Sequence, residues 1–326
     1  MPKKDIVAIF KKVLKSLQKN TNKLLKLFDR SPIWVKLFII MTLILLLVKR
    51  YNKINMVKEG FTQMKPFILK KDEKLFDEFY VDYYDDLMKD AYKTNFEFEE
   101  ICHTTKPDKK KSKILDIGCG TGDLVKKFVK KGYKIKGIDK SGAMVKKSNE
   151  KHPDCDIAKK DVLNSINYPP NTFTHLLCTY FTIYYIEDKL KFFRNAYTWL
   201  KPKGSLTLHL VNRDKFDPIV NAASILTYVS PQKYAKKRIT NSLVKFKNFQ
   251  YKSDFKLQKH KNKAVFEETF KSDKSGDVRQ NEHTFFMEKQ KDILALAKSV
   301  GFILEGKIDM TKCAYEYQYL YILKKP

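Results

Sequence analysis

The first repeating pattern along the chain is helical. Ile6, Ile9, Phe10, Val13, Leu14 and Leu17 recur three and four residues apart, while Lys11, Lys12, Lys15 and Lys19 fall mostly elsewhere around the wheel. Such a stripe predicts a basic amphipathic helix able to lie on a surface, with Asp5 as its cap. It fades from Asn20 to Asn22, resumes at Leu24, Leu25 and Phe28, and is followed by Ser31 and Pro32, a good helix start. From Ile33 to Val48 the chain is predominantly apolar, with Lys36 inside the run and Lys49-Arg50 after it. At about 1.5 Å per residue, residues 33–48 cover about 24 Å against a hydrocarbon layer of about 30 Å. A span is therefore marginal. The expectation is a membrane anchor that crosses the bilayer or lies in it, with residues 1–75 as an N-terminal membrane-associated region.

Further on, the pattern becomes short apolar runs separated by turn residues. Lys113 to Ile117 reads as a buried strand breaking into a turn with glycines at 118, 120 and 122, and Leu124 to Lys131 as the helix after it. The strand pattern repeats at Tyr133 to Asp139, Cys155 to Asp161, Phe173 to Phe181 and Ser205 to Val211, with a helix from Glu187 to Leu200. Alternating strands and helices predict an α/β fold with a parallel sheet and helices on both faces. Phe285 to Gly301 reads as a last helix, and Phe302 to Met310 and Glu316 to Leu323 as two closing strands. Before that helix lies an insert of about 212–288, holding a helical piece (Pro218 to Tyr234) and three candidate strands, Ser242 to Leu257, Ala264 to Lys271 and Val278 to Met287. Residues 76–326 are read as one domain containing this small β-rich insert.

Composition narrows the function classes. With 43% hydrophobic and 13% aromatic residues, general disorder is excluded. Five cysteines (Cys102, Cys119, Cys155, Cys178 and Cys313), none in a C-x-x-C pair, suggest reduced thiols and no zinc site. The net charge of +28 invites a nucleic-acid partner, but the basic residues are 59 lysines and only six arginines. Arginine supplies most bidentate base and phosphate recognition, so nucleic acid is possible but not favoured. Residues 1–75 hold 18 basic and five acidic side chains, nearly half of the excess.

The chemistry lies at the ends of the predicted strands. Glycines at 118, 120 and 122 let the backbone turn tightly and approach a ligand, and Asp123 stands where a dinucleotide fingerprint would need its third glycine. Asp139 closes the second strand, where a carboxylate can accept hydrogen bonds from both hydroxyls of a ribose. Asp116, the glycines, Asp139, Asp161 and Thr179-Tyr180 all fall at carboxyl ends, where open α/β sheets bind ligands.

Residues of about 112–211 resemble class I S-adenosylmethionine-dependent methyltransferases. Ile114 to Gly122 matches the first motif of that family, and Asp139, Asp161 and Leu200 to Gly204 follow in order. The resemblance implies a Rossmann-like seven-stranded sheet closed by an antiparallel hairpin, with S-adenosylmethionine as cofactor. It implies that Gly118, Cys119, Gly120 and Gly122 cradle the methionine part. It places Asp139, with Lys140 beside it, at the ribose, and Asp161 with Val162 at the adenine. Asp116 would open the motif, and Thr179 to Phe181 would sit near sulfonium and substrate. Proton removal needs a base only for a hydroxyl or charged amine acceptor. Candidates near the mouth are Tyr180, Tyr184, Tyr185, Asn212, Arg213, Asp214, Glu282 and His283, of which Tyr180, Tyr184 and His283 are carried as catalytic candidates; no metal is expected. His283 reads equally as a substrate contact or a solvated strand residue, and His209 as core. Tyr80, Tyr83 and Tyr84 read either as an aromatic lid or as the packed face of a helix.

The slot after the fourth strand is Cys178-Thr179-Tyr180-Phe181, without the prolines of enzymes that methylate exocyclic amines, and no Pro-Cys pair occurs for methylation at carbon 5 of cytosine. The expected activity is membrane-tethered methyl transfer to a small-molecule or lipid-like acceptor, with the catalytic domain facing the cytosol. Protein or RNA methylation is the alternative, and a non-catalytic scaffold of the same fold a third reading.

Overall fold

The helix signalled by Ser31 and Pro32 is present: α1 runs from Ile33 to Ile54, in the first of two units, Met1–Gly60 and Phe61–Pro326, into which the chain divides. The computed structural model describes residues 28–54, 66–218, 232 and 235–326. The amphipathic helix expected from Ile6 onward and, apart from Pro218 and Gln232, the helical piece expected from Pro218 to Tyr234 lie outside the described residues. The expected membrane anchor is not supported, because among the described residues no helix is long and apolar enough to cross a membrane. The physical reason is charge spacing. Lys36, Lys49, Arg50 and Lys53 all belong to α1, and the run between Lys36 and Lys49 is only Leu37 to Val48, about 18 Å of helix against the roughly 30 Å of a hydrocarbon core.

The second unit begins with strand β1 (Phe67–Lys71) and helices α2 (Glu78–Met88) and α3 (Ala91–Thr105). Asp77 and Asp90 cap these helices, accepting the backbone N–H of Tyr80 (3.2 Å) and of Lys93 (2.9 Å). Then β2 (Ile114–Ile117), α4 (Asp123–Lys130), β3 (Ile135–Asp139), α5 (Gly142–Lys151), β4 (Asp156–Lys159), β5 (Phe173–Cys178), α6 (Thr182–Tyr185), α7 (Lys189–Trp199) and β6 (Leu200–Val211) alternate. After the insert come α8 (Gln290–Val300), β11 (Ile303–Asp309) and β12 (Gln318–Lys324).

These strands form a seven-stranded sheet in the order β11-β12-β6-β5-β2-β3-β4. The five strands from β2 to β6 are parallel, and β12 and β11 close the edge antiparallel. All four residues of β2 are buried, as a strand covered on both faces requires. Phe192, Phe193, Ala196 and Trp199 turn one face of α7 into the core with no exposure, each large side chain contributing about 1.5–3 kcal/mol of burial.

The insert departs from expectation in strand number. Ser242 to Leu257 is not one strand but a hairpin, β7 (Asn241–Lys245) and β8 (Phe249–Gln258), closed by Phe246 N–H donating to Phe249 O at 2.9 Å. With β9 (Lys263–Ser272), β10 (Val278–Phe286) and β1 it forms a second sheet in the order β1-β10-β9-β8-β7. Phe285 and Phe286, read both as the end of the strand from Val278 and as the start of the last helix, finish β10, and α8 begins only at Gln290. Arg279 of β10 donates to both Asp77 carboxylate oxygens at 3.0 and 2.8 Å, which fastens the start of α2 to the second sheet. Tyr80 and Tyr83 on α2 pack edge-on against Phe270 and Phe249 of that sheet.

Candidate active site

The turn after β2 is tied back to β3: Gly118 N–H and Cys119 N–H both donate to Ile138 O, at 2.8 and 3.0 Å. Gly120, at φ +54, then donates its N–H to Asp139 Oδ2 at 2.9 Å, while Ser141 N–H donates to Asp139 Oδ1 at 2.9 Å. Two strand ends are thereby locked into one carboxylate. Burial pushes Asp139 above the usual carboxylate range, with these backbone donors working against it. At Asp161, burial is outweighed by Leu163 N–H, donating at 2.9 Å, and by Lys140, 3.0 Å from Oδ2, so its pKa lies below the usual value. Lys140 also pairs with Glu73.

These groups face one cavity of about 1030 Å3. Its lining includes Asp116, Gly118, Cys119, Gly120, Asp139, Lys140, Asp161, Val162, Thr179 and Tyr180. α2 lies over the glycine turn, where Asp85 accepts Thr121 Oγ1–H at 2.7 Å and pairs with Lys151 at 2.6 Å. Tyr80 and Tyr84 line the cavity from this helix, and Tyr80 and Tyr83 pack on the second sheet, which is the packed helix face given as one alternative.

The inner end of the cavity is polar and was not foreseen. Lys93 and Glu97, one turn apart on α3, pair at 3.0 Å and are almost fully buried. Glu97 Oε1 and Asp116 Oδ1 have no hydrogen-bond partner among the described residues. Burial, then the charges of Glu97 and Asp139, push Asp116 well above the ordinary carboxylate value, against the pull of Lys93. The signal lay in the sequence: Lys93, Glu97 and Ile101 share one helical stripe, so two charges sit on the buried face.

Two expected site residues stand elsewhere. Gly122 does not line the cavity; at φ +81 it caps α4, and a Cβ there would lie 2.2 Å from Ser148 Oγ, so it serves helix packing. Tyr184 is buried in the core, its oxygen accepting Val211 N–H at 2.8 Å, and carries no surface for a substrate. Asn212, Arg213, Asp214 and Glu282 also stay out of the lining. Arg213 holds Asn262 and the carbonyl of Met287, Asp214 pairs with Lys259 and Glu282 with Lys71. Tyr185 and His283 do line it. His209 is core, held to Gln318 at 3.1 Å, and burial depresses its pKa to about 3.

Residues 114–204 match the sequence model of the methyltransferase domain family. Malonyl-[acyl-carrier protein] O-methyltransferase 1 of Ilyobacter polytropus is 28% identical over 194 residues, covering 56% of this chain and 70% of that protein. The fold matches the CcbJ methyltransferase of Streptomyces caelestis with a TM-score of 0.59 at 13% identity, over 78% of this chain and 99% of that one. It matches the S-adenosylmethionine-bound amino pentose methyltransferase of Micromonospora echinaspora, involved in calicheamicin biosynthesis, with a TM-score of 0.54 at 14% identity, over 77% and 97%. Residues 114–204 are thus a methyltransferase domain, and the fold is that of S-adenosylmethionine-dependent methyltransferases. Two features of this methyltransferase fit the cofactor of its family. A Cβ on Gly120 would meet nothing nearer than Tyr84 at 3.9 Å, so the missing side chain leaves room in the cavity wall. At the inner end, the unpartnered Asp116 oxygen offers an acceptor for an ammonium group.

Proposed function

We propose that this methyltransferase acts on a small-molecule acceptor held between the carboxyl edge of the seven-stranded sheet and the second sheet. One observation carries the reading: a single cavity of about 1030 Å3 joins the glycine turn, Asp139 and Asp161 at one end to Tyr185, His283, Phe266 and Phe285 at the other. That volume is at the upper end of the range for small-molecule sites, enough for a cofactor and a compact acceptor together. The activities for which similar proteins are named, on malonyl-[acyl-carrier protein] and on an amino pentose, support acceptors of this kind.

Bound S-adenosylmethionine would supply an activated methyl group, and the chain supplies position. Asp139, already oriented by Gly120 and Ser141, has lone pairs left for ribose hydroxyls. Asp161 and Val162 would take the adenine edge, and Gly118 to Gly120 with Asp116 the amino-acid end. Thr179 and Tyr180 line the same cavity. α2, pinned by Asp77 and Asp85, lies over the turn, and alignment of a nucleophile can supply several kcal/mol of barrier lowering, up to about 7–11. The test is calorimetry of the full chain with S-adenosylhomocysteine. Binding is expected for the unmodified protein and its loss in Asp139→Ala; no heat with the unmodified protein ends the reading.

A further inference from the structure

The second sheet places a buried carboxylate behind the acceptor end of the cavity. Glu268 on β9 has no solvent exposure, yet accepts Tyr80 O–H at 3.1 Å, Tyr251 O–H at 2.7 Å and the Asn281 amide at 3.4 Å. Its fourth partner is His283 Nε2 at 2.7 Å, and the other ring nitrogen, Nδ1, lies 2.7 Å from the Tyr185 hydroxyl. Each of these four partners can offer an N–H or O–H, and Glu268 accepts from all of them. His283 must then carry its proton on Nε2, which leaves Nδ1 as the acceptor for Tyr185 O–H. Burial, then the charge of Glu268, holds the phenols of Tyr80 and Tyr251 well above their usual pKa. The Tyr185 ring is wedged edge-on between Phe76 (5.6 Å) and Phe285 (4.9 Å), with about a third of its surface facing the cavity.

We propose that Tyr185, His283 and Glu268 form a proton relay serving the methyl acceptor, and that the acceptor is therefore a hydroxyl or an ammonium rather than a carboxylate. The inference rests on the small-molecule reading above. In the relay the acceptor's X–H bond breaks, its proton passes to the Tyr185 oxygen, and the Tyr185 proton passes to His283 Nδ1. The electron pair left on X becomes the nucleophile for the methyl group. The imidazolium so formed faces Glu268, which stabilises it as buried carboxylates do in other relays. Tyr185 is the catalytic residue, His283 stores the proton and Glu268 is a positioning residue. A carboxylate acceptor is already a nucleophile and would need none of this.

Two measurements on the full chain test the relay. Nitrogen-15 NMR of the S-adenosylhomocysteine complex, with His283 assigned by its absence in His283→Gln, should show the Nε2–H tautomer. Glu268→Gln should populate the second tautomer, and Tyr185→Phe should shift the Nδ1 signal without changing the tautomer. An Nδ1–H tautomer in the unmodified chain overturns the proposal. In the second, tritiated S-adenosylmethionine is supplied with the small-molecule fraction of a cell extract. Tyr185→Phe should lower transfer by about 100-fold or more while S-adenosylhomocysteine affinity stays within about twofold, and the label should resist mild base. Transfer within about threefold of the unmodified rate, label released by base as volatile methanol from a methyl ester, or no transfer by an unmodified chain that binds S-adenosylhomocysteine would each refute the relay. Failure of the unmodified chain to bind S-adenosylhomocysteine would instead refute the underlying reading.

Discussion

Two glycines of one turn do different work, and substituting each with alanine separates them. Gly122→Ala places a methyl group 2.2 Å from Ser148 Oγ and 2.8 Å from Ile157 Cδ1, at φ +81. Left-handed backbone costs an L-residue about 1–2 kcal/mol, and forcing a methyl into a packed site about 1–3 kcal/mol more. The loss of stability should be about 2–5 kcal/mol. Gly120→Ala carries the backbone strain alone, since its nearest neighbour, Tyr84 Cε1, is 3.9 Å away, and should lose only about 1–2 kcal/mol. Its methyl group, however, enters the cavity wall where the cofactor would approach. Urea unfolding of the full chain measures the first quantity, and calorimetry with S-adenosylhomocysteine the second. Gly122→Ala should be the less stable of the two, and Gly120→Ala should bind at least tenfold more weakly, equivalent to about 1.4 kcal/mol. A folded Gly120→Ala protein with unmodified affinity would show that the turn does not face the cofactor, and would remove the geometric basis of the site.

Three further outcomes follow from the buried polar groups. Asp116 is held well above the ordinary carboxylate value by burial and by its acidic neighbours Glu97 and Asp139, so seating an ammonium there should expel a proton; the heat of S-adenosylhomocysteine binding should vary with buffer ionisation enthalpy, and not in Asp116→Asn. His209 is neutral when folded, its pKa depressed to about 3 from 6.5. The unfolded chain therefore binds the extra proton between those values, and stability from this group is full above about 6.5 and falls as pH drops, by at most about 1.4 kcal/mol per unit. Urea midpoints from pH 7 to 4 should fall less in His209→Gln. Tyr184→Phe strips the Val211 N–H of its acceptor and should destabilise by about 1–3 kcal/mol with S-adenosylhomocysteine affinity unchanged.

The half of the cavity lined by Asp116, Gly118, Asp139 and Asp161 was legible because its parts are consecutive. The ends of β2, β3 and β4 are announced by a local change to glycine or aspartate, at Gly118, Asp139 and Asp161, and a parallel sheet delivers all such ends to one edge. Local signals failed where a pattern is shared by two structures. The alternation from Ser242 to Leu257 suits one strand or a tight hairpin equally, and the fourth strand of the insert went unread. Gly122 belongs to the same motif as Gly120, but it is the fold that sets Ser148 and Ile157 against it. The acceptor half joins Tyr185 to His283 and Tyr80 to Glu268, 98 and 188 residues apart, and no local pattern records such a meeting.

A different kind of signal does reach that half. Inward positions of β9 are Ala264, Phe266, Glu268, Phe270 and Ser272, so Glu268 interrupts an apolar stripe at a position that should hold an apolar side chain. Glu97 on α3 and Asp116 in β2 interrupt their stripes in the same way. Burying a charge costs several kcal/mol unless it is compensated, so each interruption asks what compensates it. Lys189 shows that the answer can be purely structural: its ammonium donates to Ile186 O at 2.8 Å and Phe286 O at 2.9 Å and pairs with Glu288, leaving nothing for a ligand. Glu97 and Asp116 differ, because each keeps an oxygen without a partner among the described residues beside the cavity both help to line. Glu268 differs in a third way, being satisfied through a histidine whose far nitrogen holds the hydroxyl of a cavity tyrosine. A charge on an apolar stripe thus marks a place to look, and whether its hydrogen bonds close on themselves or lead to the cavity separates the structural charges from the functional ones.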